Sequence, residues 1–442
     1  MKNILVIGAG RSASSLIKYL LDNSANEGWK VTVGDVSLDL VKLKTGNHPN
    51  ARAIVFDITN DSQREEEIKR ADMVISMLPA FMHLEVAKDC VRFKKHLATA
   101  SYVSKEMAEL DVDAKAAGII LMNEIGLDPG IDHASAMKVI DHIHAEGGEL
   151  TSFKSYCGGL VAPESNDNPW GYKFSWNPRN VVLAGQGTAQ YIENGQYKYL
   201  PYNRLFTQIN TVEVEGWGAF DAYANRDSLS YRKLYNISDI PTMLRGTLRM
   251  PGYCKAWNVF VKLGLTDDTY KIEASDSLTY LQLMEAYLPA EKQSAKEKLI
   301  GFMGAEMDAE ALAKIEWLEV FGNRKIKLSN ASPAQILQDL LEEKWKLQEH
   351  DKDMIVMQHQ FEFTTTDKKS KTIKSSLVVK GEDQVYTAMA KTVGLPLAIT
   401  AKLILLGKIQ ARGVVIPTIK EIYEPLLAEL EQFGIQFEEV EL

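Results

Sequence analysis

Ile4-Leu5-Val6-Ile7-Gly8-Ala9-Gly10-Arg11-Ser12-Ala13 lies at the start of the chain and decides the fold of its first part. Four apolar residues in a row read as a strand buried on both faces. The residues after them fit the pattern G-x-G-x-x-A. Gly8 permits a tight turn out of the strand, Gly10 lets a pyrophosphate reach the backbone, and Ala13 lets the next helix pack closely. The start of that helix offers free N–H groups and a positive dipole end to phosphates. Two glycines alone are a weak signal. A strand before them and a helix after them make it a dinucleotide-binding turn.

The rhythm continues outward. Apolar runs at 30–34, 53–56, 73–76, 96–100 and 119–122 alternate with amphipathic stretches at 13–23, 63–71, 85–93 and 104–117. This alternation implies βαβ units and a doubly wound parallel sheet, an α/β domain of the Rossmann type over 1–125. From 126 the chain becomes rich in Gly, Pro, Asn and aromatics, which reads as a mixed α/β domain over 126–382 with a helical portion at about 284–350. Residues 354–365 and 371–380 alternate like an antiparallel pair turning at Asp367-Lys368-Lys369. Two helices, at about 383–406 and 417–433, form the tail.

Composition narrows the function. The chain has 442 residues, 45% apolar and 25% charged, with a net charge of -9. Ample core and an acidic balance argue against a nucleic-acid surface. Cys90, Cys157 and Cys254 have neither metal-ligand nor disulfide-framework spacing, so no metal is expected and a reducing, cytoplasmic setting fits. The N-terminus does not read as a secretion leader. The apolar stretch 395–407 carries Pro396 and Lys402 and is too short for a bilayer, so it reads as a buried helix.

Asp35 ends the second strand-like run. An acid at that point hydrogen-bonds the adenosine ribose and repels a 2′-phosphate, which predicts NAD rather than NADP. Asp57 and Ile58 are expected to border the adenine, and Met77 and Leu78 the nicotinamide half. Arg11, Ser12, Val36, Thr99, Ala100 and Trp176 complete the expected cofactor set.

The most specific segment is Asn123-Glu124-Ile125-Gly126-Leu127-Asp128-Pro129-Gly130-Ile131-Asp132-His133. It reads as a loop at the mouth of the sheet, before a helix starting near Ala134 that Asp132 would cap. Asp128 could orient an amine or move a proton. Arg226, Arg245 and Arg249 lie near turn residues, and a guanidinium matches a carboxylate in bidentate fashion.

The loop 123–133 and the segments 155–176, 225–228 and 244–249 resemble those of the glutamate-forming saccharopine dehydrogenase family, and the likeness covers essentially the whole chain. It implies a first domain completed by about 383–442, a second domain carrying substrate and dimer contacts, and a homodimer. It implies hydride transfer between NAD(P) and the CH–NH bond of saccharopine, which is interconverted with glutamate and aminoadipate semialdehyde. Ser101, Tyr102, Asp128, Arg226 and Thr247-Leu248-Arg249 match positions associated with that substrate, and Cys157 and Trp176 match neighbours of the active site. Relatives that use NADP often carry a basic residue where this chain has Asp35.

The chemistry needs a group that protonates a carbinolamine on the way to the imine and deprotonates the amine in reverse. Asp128, Tyr102 and Cys157 are the candidates. Arg226 and Arg249, with Arg245, would clamp carboxylates. Two alternatives remain at this point: a carboxynorspermidine-type C–N dehydrogenase, whose polyamine would call for acids where these arginines stand, and a non-catalytic NAD-binding protein.

Overall fold

The computed structural model describes residues 1–442. The chain forms two compact units. The first comprises Met1–Leu150, Phe363–Lys371 and Leu377–Leu442, and the second Thr151–Glu362 and Thr372–Ser376.

Unit 1 is built on a seven-stranded sheet. Its strands are β1 (Lys2–Ile7), β2 (Trp29–Asp35), β3 (Ala51–Val55), β4 (Met73–Ser76), β5 (His96–Thr99), β6 (Ile120–Met122) and a C-terminal strand, Gly413–Val415. The spatial order is Gly413–Val415, β6, β5, β4, β1, β2, β3, and every neighbouring pair is parallel. The order reverses between β1 and β4, which opens a crevice at their C-terminal ends. Leu5, Ile7, Val74, Leu97 and Leu121 pack against Val86, Ala87 and Cys90.

Helix α1 (Ser14–Glu27) follows β1 and buries Leu16, Ile17, Leu20 and Leu21 before ending at Gly28 with φ +67°. Each such side chain contributes about 1.5–3 kcal/mol by leaving water. Helix α2 (Leu38–Thr45), capped by Ser37, was not foreseen in the sequence. Helices α3 (Asp61–Arg70) and α4 (His83–Phe93) fall where periodicity puts them, whereas 104–117 divides into α5 (Lys105–Glu109) and α6 (Asp111–Ala117). Helix α7 (Ile131–Ala145) starts three residues before the expected Ala134, and Asp132 lies in its first turn instead of capping from outside.

The tail helix Ala388–Leu405 packs on α1. A β-carbon on Gly394 would stand 2.8 Å from Leu16 N, so glycine permits the close approach. By length and composition this helix could cross a membrane, but 78% of that stretch is buried inside the protein, which makes it a core helix.

Unit 2 contains a mixed sheet of β7 (Glu149–Val161), β8 (Thr188–Glu193), β9 (Gln196–Pro201), β10 (Asn210–Val214), β11 (Gly218–Ala224), β12 (Thr242–Arg249), β13 (Asp353–Thr364) and β14 (Ser370–Lys380). Its order runs β10, β11, β12, β7, β13, β14, with β8 joined to β12 and β9. The β12–β7 pair is parallel, and β10–β11, β11–β12 and β8–β9 are antiparallel. Trp170, Tyr172, Tyr253, Trp257, Phe260 and Trp345 form one aromatic core. The helical part holds Tyr280–Tyr287, Ala295–Met303, Ala309–Trp317 and Pro333–Lys344, three of which begin with capping boxes at Thr279, Ser294 and Ser332.

Candidate active site

The glycine turn sits at the C-terminal end of β1. Gly8 has φ +101°, and a β-carbon there would lie 3.1 Å from the Met77 carbonyl oxygen, so the turn passes tightly over the end of β4. Beside Gly10 there is open space, as a phosphate requires. Arg11–Ala13 form a 3-10 turn leading into α1.

Asp35 faces back into this turn. Its Oδ2 accepts the N–H of Ala9 at 2.8 Å and its Oδ1 the N–H of Ser37 at 3.0 Å. The carboxylate therefore ties β2 to the glycine turn and starts the approach to α2. Lys44, from α2, donates to Ser14 Oγ at 2.8 Å and to the Gly10 carbonyl. Burial pulls this ammonium down to about 8, against the pull of Asp35. Sequence reasoning missed Lys44 because it missed α2.

The other expected cofactor residues divide. Arg11 and Val36 are exposed. Asp57 closes a local turn, its Oδ1 accepting both the hydroxyl and the N–H of Thr59, which hold it below the usual carboxylate range. Met77 hydrogen-bonds Ile7 through its backbone, and Ile58 and Leu78 pack on the core beneath the sheet. Thr99 is buried, with its hydroxyl 3.1 Å from His83 Nε2.

A second cluster lies past the end of β5. Tyr102, half exposed, donates to Asp128 Oδ1 over a long 3.4 Å. Asp128 precedes a cis Pro129. The loop is folded on itself: a β-carbon on Gly130, with φ +147°, would fall 2.1 Å from Gly126 O. The Asp132 carboxylate reaches back to the Gly130 N–H at 2.6 Å. Glu124, at φ +53°, donates its N–H to Ser101 O at 3.0 Å, accepts the Val103 N–H at 3.0 Å, and pairs through Oε2 with His133 Nε2 at 2.9 Å. Ser101 Oγ lies 2.8 Å from His83 Nε2. His83, Glu124 and His133 were not singled out in the sequence. They are spread over fifty residues, and only the sheet brings them to one edge.

In unit 2, Arg245, Thr247 and Arg249 alternate along β12 and so share one face. Arg249 is 3% exposed, among the rings of Tyr172, Tyr253 and Tyr223 at 5.2, 5.4 and 5.7 Å. Its Nη1 donates to Leu248 O at 2.8 Å, and its buried Nε–H has no partner. Arg245 stacks over Tyr231 at 4.2 Å. The Thr247 hydroxyl donates to Asn225 Oδ1 at 2.7 Å. Cys157 is buried on β7, level with Thr247. Trp176 donates to the Tyr172 hydroxyl at 3.0 Å. Arg226 stands apart, exposed after β11. Leu248 departs from expectation. It is fully buried on the opposite face, over Gly158, so its side chain serves the core.

A parallel sheet with a phosphate-binding turn at its switch point, joined to a domain carrying buried arginines, defines a dinucleotide-dependent oxidoreductase. Residues 4–122 match the saccharopine dehydrogenase NADP binding domain, and residues 126–435 the saccharopine dehydrogenase C-terminal domain. The chain belongs to the saccharopine dehydrogenase family. It is 36% identical to saccharopine dehydrogenase [NADP(+), L-glutamate-forming] of Pyricularia oryzae, over 99% of this chain and 98% of that one. The apo saccharopine dehydrogenase (L-Glu forming) structure from Saccharomyces cerevisiae superposes with a TM-score of 0.91 at 36% identity, covering 100% of both chains. The mitochondrial alpha-aminoadipic semialdehyde synthase of Rattus norvegicus is 36% identical over 99% of this chain, which spans 47% of that longer protein.

These findings overturn the expectation of NAD. The fungal relatives are named for NADP(+), and the matching first domain is described as NADP binding. The physical reason lies in Asp35. Position after β2 suggested a ribose acceptor; in the structure each Asp35 oxygen accepts one backbone N–H of this chain, so the carboxylate ties β2 and the approach to α2 to the glycine turn.

Proposed function

We propose that this chain interconverts saccharopine with glutamate and aminoadipate semialdehyde, using NADP as hydride carrier. The observation that carries the reading is the full-length likeness to glutamate-forming enzymes, together with the glycine turn and the Tyr102–Asp128 pair in one unit. Gly8, Gly10 and Ser12 would hold the pyrophosphate, and buried Ala13 lets α1 start close to the sheet. Exposed Arg11 and partly buried Lys44 supply positive charge beside the turn, against the negative charge of Asp35. The bound cofactor supplies the hydride.

The protein's own residues bind, orient and move protons. Arg226, Arg245 and Arg249 are the carboxylate ligands. Arg249 has an unused N–H in a dry aromatic setting, where a charge-assisted bond is strong. Asp128 favours a cationic amine, and Tyr102, donating to Asp128, is the hydroxyl that passes a proton to or from the carbinolamine oxygen. In unit 1 Ser101, and in unit 2 Thr247 and Cys157, are substrate contacts by their match to the family's positions.

The test is turnover of saccharopine with NADP, read as reduced cofactor, with glutamate identified as product. Reduced cofactor from a polyamine adduct but not from saccharopine would refute the reading. It extends to a homodimer, for which exposed Tyr197 and Tyr199 on β9 offer surface, and to a cytoplasmic setting, which the free Cys90, Cys157 and Cys254 support. A monomer by sedimentation would refute that part.

A further inference from the structure

His83 enters none of the roles above, yet it occupies a central place in unit 1. It opens α4 and is 3% exposed. Its Nδ1 lies 2.8 Å from Ser76 Oγ at the end of β4. Its Nε2 lies 2.8 Å from Ser101 Oγ and 3.1 Å from Thr99 Oγ1 beyond β5. One imidazole thus bridges the hydroxyls at the ends of two adjacent strands. A buried imidazole is common enough as core filling. Three hydroxyl partners, one of them on the substrate segment, mark this one as different.

The backbone and the hydroxyl of the substrate segment are held separately. Glu124 takes the Ser101 carbonyl and the Val103 N–H, so it fixes the main chain on both sides of Tyr102. That leaves the Ser101 hydroxyl free to rotate about its side-chain bond, and His83 is the group that stops it.

We propose that His83 is a positioning residue for the substrate: its imidazole locks the Ser101 hydroxyl in the one rotamer that meets saccharopine. The role rests on the reading of Ser101 as a substrate contact. A neutral imidazole suits it, because it offers one N–H and one lone pair and so joins a donor to an acceptor without adding charge. Burial pushes His83 down to about 4, so the ring is neutral at ordinary pH.

The experiment compares His83→Asn, His83→Gln and Ser101→Ala. Asparagine reaches the place of Nδ1 and keeps Ser76, while glutamine reaches the place of Nε2 and keeps Ser101. His83→Asn should raise KM for saccharopine about tenfold, the worth of one oriented hydrogen bond, with NADP affinity unchanged. His83→Gln should recover most of that loss. In a Ser101→Ala background, His83→Asn should add nothing. Losses that multiply, a fall in NADP affinity in place of KM, or no rescue by glutamine would overturn the proposal.

A turnover-free readout separates this from the parent reading. In the protein without ligands, Ser101→Ala should shift the His83 Nε2 nitrogen resonance and leave Nδ1 nearly in place. An unmoved Nε2 resonance refutes the contact itself. A shifted resonance in a protein that does not turn over saccharopine refutes the substrate reading, and the proposal falls with it for that distinct reason.

Discussion

Replacing Asp35 with alanine distinguishes a carboxylate that holds the glycine turn from one that reads a ribose. The side chain accepts two backbone N–H groups, at 2.8 and 3.0 Å. Hydrogen bonds to a charged acceptor contribute about 1.5–3 kcal/mol each. Asp35 is only half-buried, so water replaces part of the loss, and the lower end of the range applies to each bond. The expected destabilisation is about 2–4 kcal/mol. For a unit of this size that lowers Tm by roughly 4–16 °C. The Ala9 N–H also loses its anchor, so affinity for NADP and NAD should fall together, by about tenfold. Asp35→Asn keeps one acceptor oxygen and should lie between wild type and alanine. Differential scanning calorimetry and isothermal titration with both dinucleotides read these quantities. An unchanged Tm with a large change in the NADP-to-NAD affinity ratio would refute the argument, because the carboxylate would then face the ribose.

Other substitutions test other parts. Gly130→Ala meets both φ +147° and a 2.1 Å clash with Gly126 O, so it should cost more than about 4 kcal/mol and yield little soluble protein. Gly28→Ala, with φ +67° and open space, should cost only about 1 kcal/mol, and equal yields of the two would contradict this account. Burial holds His83 near 4, against an ordinary 6.5. The unfolded chain takes up that proton first, so stability should fall as pH drops from about 6.5 to 4, by about 3 kcal/mol for this residue. Urea midpoints across that window check the sign, and His83→Gln should lose most of that slope. Arg249→Met keeps the volume in the tyrosine cage and removes the free N–H. It should stay folded and raise KM for saccharopine by about a hundredfold, as for loss of a buried charged contact. Unchanged KM would remove Arg249 from the site.

The parallel sheet was legible because the buried parts of β1 and β4 are covered on both faces and so read as apolar runs, while α1 and α4 carry the helical period. Gly8 and Ala13 were legible for a related reason: Gly8 turns at φ +101° close over the Met77 carbonyl and Ala13 is fully buried, and space is a local property. The edge strand Gly413–Val415 was not legible. Three residues are too few to show a period, and their pairing with β6 joins segments almost three hundred residues apart. Helix α2 was missed because Leu40 and Leu43 stay exposed, leaving only Val41 and Thr45 buried and no apolar stripe to read.

The chain's order of residues determined by itself that there is a dinucleotide turn, a strand-and-helix rhythm around it, and an acid- and glycine-rich loop at 123–133. Those follow from patterns within a dozen residues. Only the tertiary structure decided what the side chains do. Asp35 has the spacing of a ribose reader and the partners of a structural tie, Leu248 lies between Thr247 and Arg249 yet points into the core, and His83 meets Ser76, Thr99 and Ser101 across two strand ends. The reason is physical: backbone conformation is set by neighbours along the chain, whereas the direction and partners of a carboxylate or an imidazole are set by whichever strand the sheet brings alongside.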